Sequence, residues 1–263
     1  MTGWTWAVAD HVGGRDEQQD RVAVMAEGGR VLAVIADGLG GHRGGGAAAE
    51  AVVGHARRAW AARRDFTGTV PAFLESIRVA AHGAINALAA DIGEQPHSTC
   101  VLFHGDGEKA DWVHAGDSRL YRIRGGRAEL LTRDHSYAQM LVEQGKLRPD
   151  EVAAHPSQGQ LLVALGGAED QGGELGGAWL RPGDGFCLCS DGAWEVLTPG
   201  DMAAALDRDD LAASARALAD EAARRGGSGG DNIALALLRL GDGVLPPERG
   251  WAKMKRLFLG RAP

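Results

Sequence analysis

Apolar residues in this chain gather into short runs bounded by glycine, aspartate or asparagine, and into three longer stretches with a helical period. The short runs are "TWAVA" (5–9), "RVAVMA" (21–26), "RVLAVIA" (30–36), "TCVLFHG" (99–105), "KADWVHAG" (109–116), "SRLYRIRGGRAELL" (118–131), "DGFCLCS" (184–190) and "NIALALLRL" (232–240). Their length, alternation and turn-forming boundaries predict β-strands. Gly125 and Gly126, set between two apolar stretches, predict a hairpin. Ala-rich residues 44–64 and 70–92 carry apolar positions at helical spacing, as do residues 208–225. The last of these begins with acids and ends at Arg224 and Arg225 before Gly226 and Gly227, a polarity that the helix dipole and a glycine cap both favour.

The order is strands, two long helices, more strands, an irregular stretch, then strand, helix and strand. That is not the strict alternation of a doubly wound parallel sheet. It predicts an α+β fold of antiparallel sheets with helices laid on them. Residues 134–165 interrupt the strands with short helical turns and polar residues, and are expected to form a flap over one edge. The pattern stops near Gly241, which divides a domain over 1–240 from a basic tail over 241–263. Beyond Pro246 and Pro247, the cations Arg249, Lys253, Lys255, Arg256 and Arg261 stand against one acid, Glu248, while Trp251, Met254, Leu257 and Phe258 share one helical face. Such a segment either docks on a partner or an anionic membrane surface, or stays frayed; pattern alone leaves both readings open.

Composition removes several function classes. A net charge of −7 argues against a nucleic-acid binder, whose footprint is basic. Three cysteines, Cys100, Cys187 and Cys189, make no disulfide framework and read as buried thiols. No window approaches 18 apolar residues, and no basic start leads into an apolar stretch, so a cytoplasmic protein is expected. The 40 glycines follow no collagen-like period and point to many tight turns.

Candidate chemistry lies at the ends of the strands. Asp37 follows "VLAVIA", Asp117 follows "DWVHAG" and Asp191 follows "GFCLCS", while Asp20 precedes "RVAVM" and Asp231 precedes "IALALL" by one residue. One aspartate at a strand end is an ordinary turn residue. Five of them, at ends that a layered sheet can bring into one cleft, need a compensating cation, because clustered carboxylates raise one another's pKa. Oxygen donors without Cys or His suit Mg²⁺ or Mn²⁺, and two such ions can clamp an in-line phosphoryl displacement. The glycine-rich "GGHRGGG" lacks the Lys-Ser/Thr pair of a P-loop. No cysteine has an arginine six positions on, and no nucleophile elbow of the form GxSxG occurs.

Seven stretches carry a resemblance to the metal-dependent protein phosphatases of type 2C in their compact bacterial form. They are "GGRDEQQD" (13–20), "ADGLGGH" (36–42), "AGDSRLY" (115–121), "LTRDHS" (131–136), "ALGG" (164–167), "CSDGAWEVL" (189–197) and "GGDNIAL" (229–235), in the family's order across most of the chain. The resemblance implies a four-layer αββα sandwich with a metal cleft at one end. It makes Asp37 the carboxylate bridging two Mn²⁺ or Mg²⁺ ions, with the Gly38 carbonyl as a ligand and Asp191 and Asp231 on the first ion. Asp20 is then hydrogen-bonded to metal waters, Arg15 grips the substrate phosphate, and Asp117 with Asp191, aided by Glu195, holds a weaker third ion. The implied reaction is hydrolysis of phosphoserine or phosphothreonine by a bridging hydroxide. The implied partners are phosphorylated proteins and the Ser/Thr kinase that makes them, sometimes one controlling type VI secretion, and a monomer is expected. The alternatives are a binding-only relative that has lost turnover, or a phosphatase of small molecules.

The chain departs from the family pattern in places. Gln18 stands where Asn is frequent, and His97-Ser98-Thr99 where Gly-Thr-Thr is. Gly159 and Val163 occupy flap positions where Asn and Arg are often seen. Leu39 fills the place of the animal enzymes' proposed general-acid histidine, which leaves either His42 or a metal-bound water as the candidate for that role. His135 is expected to hold the root of the flap.

Overall fold

The computed structural model describes residues 3–39 and 41–241, without the side chains of residues 41–43. The His42 side chain and the tail beyond residue 241 therefore lie outside the described residues. In chain order the elements are β1 (Trp4–His11), β2 (Arg21–Glu27), β3 (Arg30–Ala36), β4 (Gly38–Leu39), α1 (Gly41–Ala62), α2 (Val70–Ile92), β5 (His97–Ser98), β6 (Cys100–Gly105), β7 (Lys109–Ala115), β8 (Arg119–Arg124) and β9 (Arg127–Leu130). There follow α3 (Tyr137–Glu143), β10 (Glu174–Trp179), β11 (Gly185–Cys189), α4 (Asp191–Trp194), α5 (Pro199–Leu206), α6 (Leu211–Gly226) and β12 (Ile233–Leu240).

Two five-stranded antiparallel sheets form, one ordered β1-β12-β11-β8-β9 and the other β10-β7-β6-β3-β2. The apolar runs read as nearly continuous because both faces of their strands are covered. On β3, Leu32, Val34 and Ala36 pack with Val52, Leu74 and Ile77 of α1 and α2, whereas Val31, Ala33 and Ile35 face the other sheet. On β12, Ile233, Leu235 and Leu237 pack with Leu211, Leu218 and Ala222 of α6, and Ala234, Ala236 and Leu238 face inward. Helices thus sandwich two sheets in four layers, as the period-2 alternation and the element order predict. Between the sheets Trp4 packs with Phe103 and Phe186, with ring centroids 4.6 to 6.0 Å apart across the trio.

Helix ends follow local chemistry. Thr69 caps α2 and Gly93 ends it at φ 79°; Asp210 caps α6 through the Ala213 amide at 2.9 Å. The three expected helices form, and α1 begins three residues earlier than its sequence pattern, at Gly41. Its glycine-rich first turn lies against β4: a β-carbon on Gly45 would come within 2.4 Å of the Gly38 carbonyl oxygen, and one on Gly38 within 2.0 Å of the Gly45 oxygen. All three cysteines are buried free thiols. Trp112 and Trp194 are buried, while Trp179 stands exposed on the edge strand β10.

Candidate active site

Strand register brings the five aspartates to one end of the sandwich. Arg21 pairs with Ala36, which sets Asp20 beside Asp37. Cys189 pairs with Arg119 on one side and Leu235 on the other, so Asp191 lies between the Asp117 turn and Asp231. His11 pairs with Ile233, which carries residues 13–15 to the same end. Asp37, Gly38, Asp191 and Asp231 line a cleft of about 520 Å³ together with Arg15. Asp117, Asp191 and Glu195 line an adjoining groove of about 560 Å³ with Gln158 of the flap.

Each side chain is held by its surroundings. The Asp37 amide donates to Thr99 Oγ1 at 2.9 Å, and its carbonyl accepts from the Thr99 amide at 2.8 Å and from Ser98 Oγ at 3.0 Å. The Ser-Thr pair at this departure from the family pattern is therefore fully employed. Gln18 Nε2 donates to the carbonyls of His11 and Ile233 at 3.1 and 3.2 Å, and Asn232 ties the loop over 12–19 to β12 through Val12 and Gln19. Arg15 Nη2 donates to Asp231 Oδ2 at 2.6 Å, with the guanidinium side chain 56% exposed in the cleft. The carbonyl of Asp117 accepts from Trp194 Nε1 at 2.9 Å. Arg119 lies 3.5 Å over the Trp194 ring and grips buried Asp134 with two bonds of 2.9 and 2.6 Å.

The electrostatics fit hard divalent cations. Burial, then the neighbouring Asp191 charge, pushes the Asp20 carboxyl up to about 8, and its Oδ2 is buried without a partner. Burial and Asp20 hold Asp37 well above the usual carboxylate range, and burial and Asp37 do the same to Asp191. Asp117 is raised to about 7 by burial and by Asp134, and Glu195 is raised by burial and by Asp231. These are buried acceptor groups that disfavour one another's ionisation, with Arg15 as the cation at their rim. A divalent ion removes that frustration. None of the described residues lining the two hollows is Cys or His. The carboxylates are spread rather than caged, which suits ions that keep several waters.

Among the described residues, one His/Cys/Asp/Glu trio has ligand atoms within 4.8 Å of one another: His114, His135 and Glu174. Its geometry is that of a tether. The imidazoles stack at 4.7 Å, His114 Nε2 donates to the Arg133 carbonyl at 2.8 Å, and Arg133 pairs with Glu174 at 3.3 Å. The His135 amide donates to the Gly116 carbonyl at 3.0 Å and its Nδ1 accepts from the Gly116 amide at 3.3 Å, which fixes the flap's root as expected. The supporting residues Thr99, Asn232, Arg119, Asp134 and Trp194 carry no separate sequence signal, except that each lies inside or beside one of the recurring motifs.

Sequence and fold are similar to those of known proteins. Residues 9–226 match the family model described as Protein phosphatase 2C. The chain is 32% identical over 217 residues to the serine/threonine protein phosphatase PstP of Mycobacterium tuberculosis, covering 80% of this chain and 40% of that relative; it thus spans about two fifths of the mycobacterial protein. It is 30% identical over 233 residues to protein phosphatase PhpP of Streptococcus pneumoniae, covering 87% of this chain and 94% of that one. Among solved structures, the serine/threonine phosphatase of S. agalactiae superposes with a TM-score of 0.81 at 29% identity, over 90% of this chain and 99% of that one. The catalytic domain of PstP, solved with two manganese ions, gives 0.76 at 29% identity over 92% and 100%. PppA of Pseudomonas aeruginosa, described as a regulatory component of the type VI secretion system, gives 0.77 at 32% identity over 91% and 98%.

Proposed function

The chain belongs to the protein phosphatase 2C family, and on that premise we propose that it hydrolyses phosphoserine and phosphothreonine in proteins, opposing a Ser/Thr kinase. The observation that carries the reading is the convergence of Asp20, Asp37, Asp117, Asp191 and Asp231 with Arg15 at one cleft. We assign Asp37, the Gly38 carbonyl, Asp191 and Asp231 as the groups that would hold two Mn²⁺ or Mg²⁺ ions, with Asp37 serving both. Asp20, with its unpartnered oxygen, is assigned to receive hydrogen bonds from the ions' waters, and Asp117 with Glu195 to hold a third, weaker ion. When bound, such ions supply an activated water and positive charge for in-line displacement at phosphorus.

The chain's own groups do the rest. The Arg15 guanidinium is exposed to the cleft and presents a planar fork of donors that matches two phosphate oxygens. Its bond to Asp231 keeps that fork at the cleft's edge. Thr99 and Ser98 fix the backbone of Asp37, so its carboxylate needs no rearrangement to serve. His42, in the first turn of α1, is assigned as a proton donor to the leaving serine or threonine oxygen, and His42→Gln should slow a high-pKa leaving group more than p-nitrophenol. Equal losses on both would remove His42 from that role. Retention of the full carboxylate set favours turnover over a binding-only relative.

The experiment is phosphate release from a phosphothreonine peptide, with Mn²⁺ titrated against an EDTA blank. Release that rises with Mn²⁺ and vanishes in EDTA is expected. No release at any Mn²⁺ concentration from folded protein would overturn the reading. The same assay on a chain ending at residue 240 checks the division into a catalytic domain and a basic tail, since that chain should keep its turnover.

A further inference from the structure

Beside the acidic cleft lies another hollow, of about 490 Å³, to which the hydrolysis itself gives no task. Its wall sets an apolar arc beside polar His97, Glu169 and Gln171: Leu39 comes from β4, and Leu161, Leu162 and Val163 come from the returning arm of the flap. Leu162 is 46% exposed here between half-buried Leu161 and Val163, the latter packed on the core below. A chain avoids such an arc on its surface unless the arc covers or receives something.

The hollow is pinned open at both ends. The Leu162 amide donates to the His135 carbonyl at 2.8 Å, and the Tyr137 amide donates to the Gln160 carbonyl at 2.8 Å. On the far side Leu165 and Ser98 exchange backbone hydrogen bonds of 2.8 and 3.0 Å. Between these anchors the backbone of residues 162–164 has little freedom, so the apolar wall is preformed.

It is also continuous with the reaction site. Leu39 belongs to the walls of all three hollows, and Gly159 and Leu161 are shared with the groove that reaches Glu195. Leu39 is two residues beyond Asp37, about 7 Å along an extended strand, which is the spacing between same-side residues of an extended peptide. Among the described residues, no arginine, lysine or asparagine lines this hollow.

We propose that this hollow receives an apolar side chain two residues from the phosphorylated residue, so that the enzyme prefers phosphopeptides with leucine, isoleucine, valine or methionine at that place. The proposal rests on the phosphatase reading given above. Burying such a side chain against Leu161, Leu162 and Val163 removes apolar surface from water on both partners. Glu169 also lines the hollow and repels a flanking carboxylate. A pocket of this kind discriminates by about tenfold or more for one apolar side chain.

The test uses the full chain with Mn²⁺ on phosphothreonine peptides that differ only in Leu, Ser or Asp two residues from the phosphorylated one, placed on each side in turn. p-Nitrophenyl phosphate, which has no flanking residue, reports the chemistry alone. On one side, kcat/KM should be about tenfold higher for Leu than for Ser, and lowest for Asp. In Leu162→Asp the Leu-to-Ser ratio should fall to within about twofold of unity. A flat peptide series alongside good p-nitrophenyl phosphate turnover would overturn the groove and leave the phosphatase reading standing. A Leu preference that survives Leu162→Asp would also overturn it. No turnover of any substrate would overturn the phosphatase reading, and this proposal with it.

Discussion

Asp37 works against the fold that carries it. Its carboxylate is buried and faces the charges of Asp20, Asp117 and Asp231, so ionisation is disfavoured in the metal-free protein. Asp37→Asn keeps the shape and removes the charge. Phosphate release should fall by more than about a hundredfold, the upper end of what losing an outer metal partner costs. The metal-free protein should meanwhile melt about 2–4 °C higher at pH 7.5, by calorimetry in EDTA, the shift that goes with roughly 1 kcal/mol in a chain of this size. Near wild-type turnover at saturating Mn²⁺ would remove Asp37 from the site. At this scale the carboxylates were legible because aspartate recurs at strand ends with a common logic. Thr99, Asn232 and the Arg119–Asp134–Trp194 group were not, since their partners lie 62, 213, 15 and 77 residues away and depend on register.

The joint between β11 and α4 shows how closely the site's elements approach. A β-carbon on Gly192 would come within 2.2 Å of the Asn232 carbonyl oxygen, and backbone cannot yield as a side chain can. Gly192→Ala should therefore destabilise by about 1–3 kcal/mol, the range for overpacking, and weaken Mn²⁺ binding by separating Asp191 from Asp231. A urea midpoint and a Mn²⁺ titration check both; an unchanged midpoint would mean the joint is looser than drawn. Long elements were legible from period alone, and several short ones, β10 and α5 among them, were not. β10 reads "ELGGAW", with two glycines at its centre and exposed residues on an edge, so neither alternation nor β-propensity marks it. α5 has only eight residues, yet Thr198 and Asp201 form a capping box ahead of its apolar residues, a signal that was there to be read.

For the molecule as a whole, the carboxylate end sets a pH dependence. Asp20 and Asp117, at about 8 and about 7 in the fold against 3.8 in the open chain, bind protons more tightly when folded. Their stabilising contribution is complete below about pH 4 and is lost as pH rises through 7 to 8. The buried imidazoles of His104 and His114 run the other way, because burial holds them below 6.5, and their contribution is lost only as pH falls below that value. Between pH 6.5 and 8 the aspartates set the slope. Tm in EDTA should fall across that window, and Mn²⁺ should raise it more at pH 8 than at 6.5. A flat or rising Tm in EDTA would show that the carboxylates are less crowded than their burial indicates. Layering was legible at this scale because runs apolar on both faces need cover on both sides, and the single end where the carboxylates meet followed only once strand order was known.

Arg15 and Asp231 are joined across 216 residues, and β12 fills the place between β1 and β11. A ribosome making this chain releases the first arm of the cleft long before the last. Until residues 231–240 emerge, the first sheet lacks an inner strand, Arg15 lacks its bond to Asp231, and one carboxylate of the cleft is missing. Closing so long a loop is slow, and no shorter product of synthesis can hold the cleft together. Timing is thus written into strand order: among the described residues, the cleft is complete only when β12 docks beside β1.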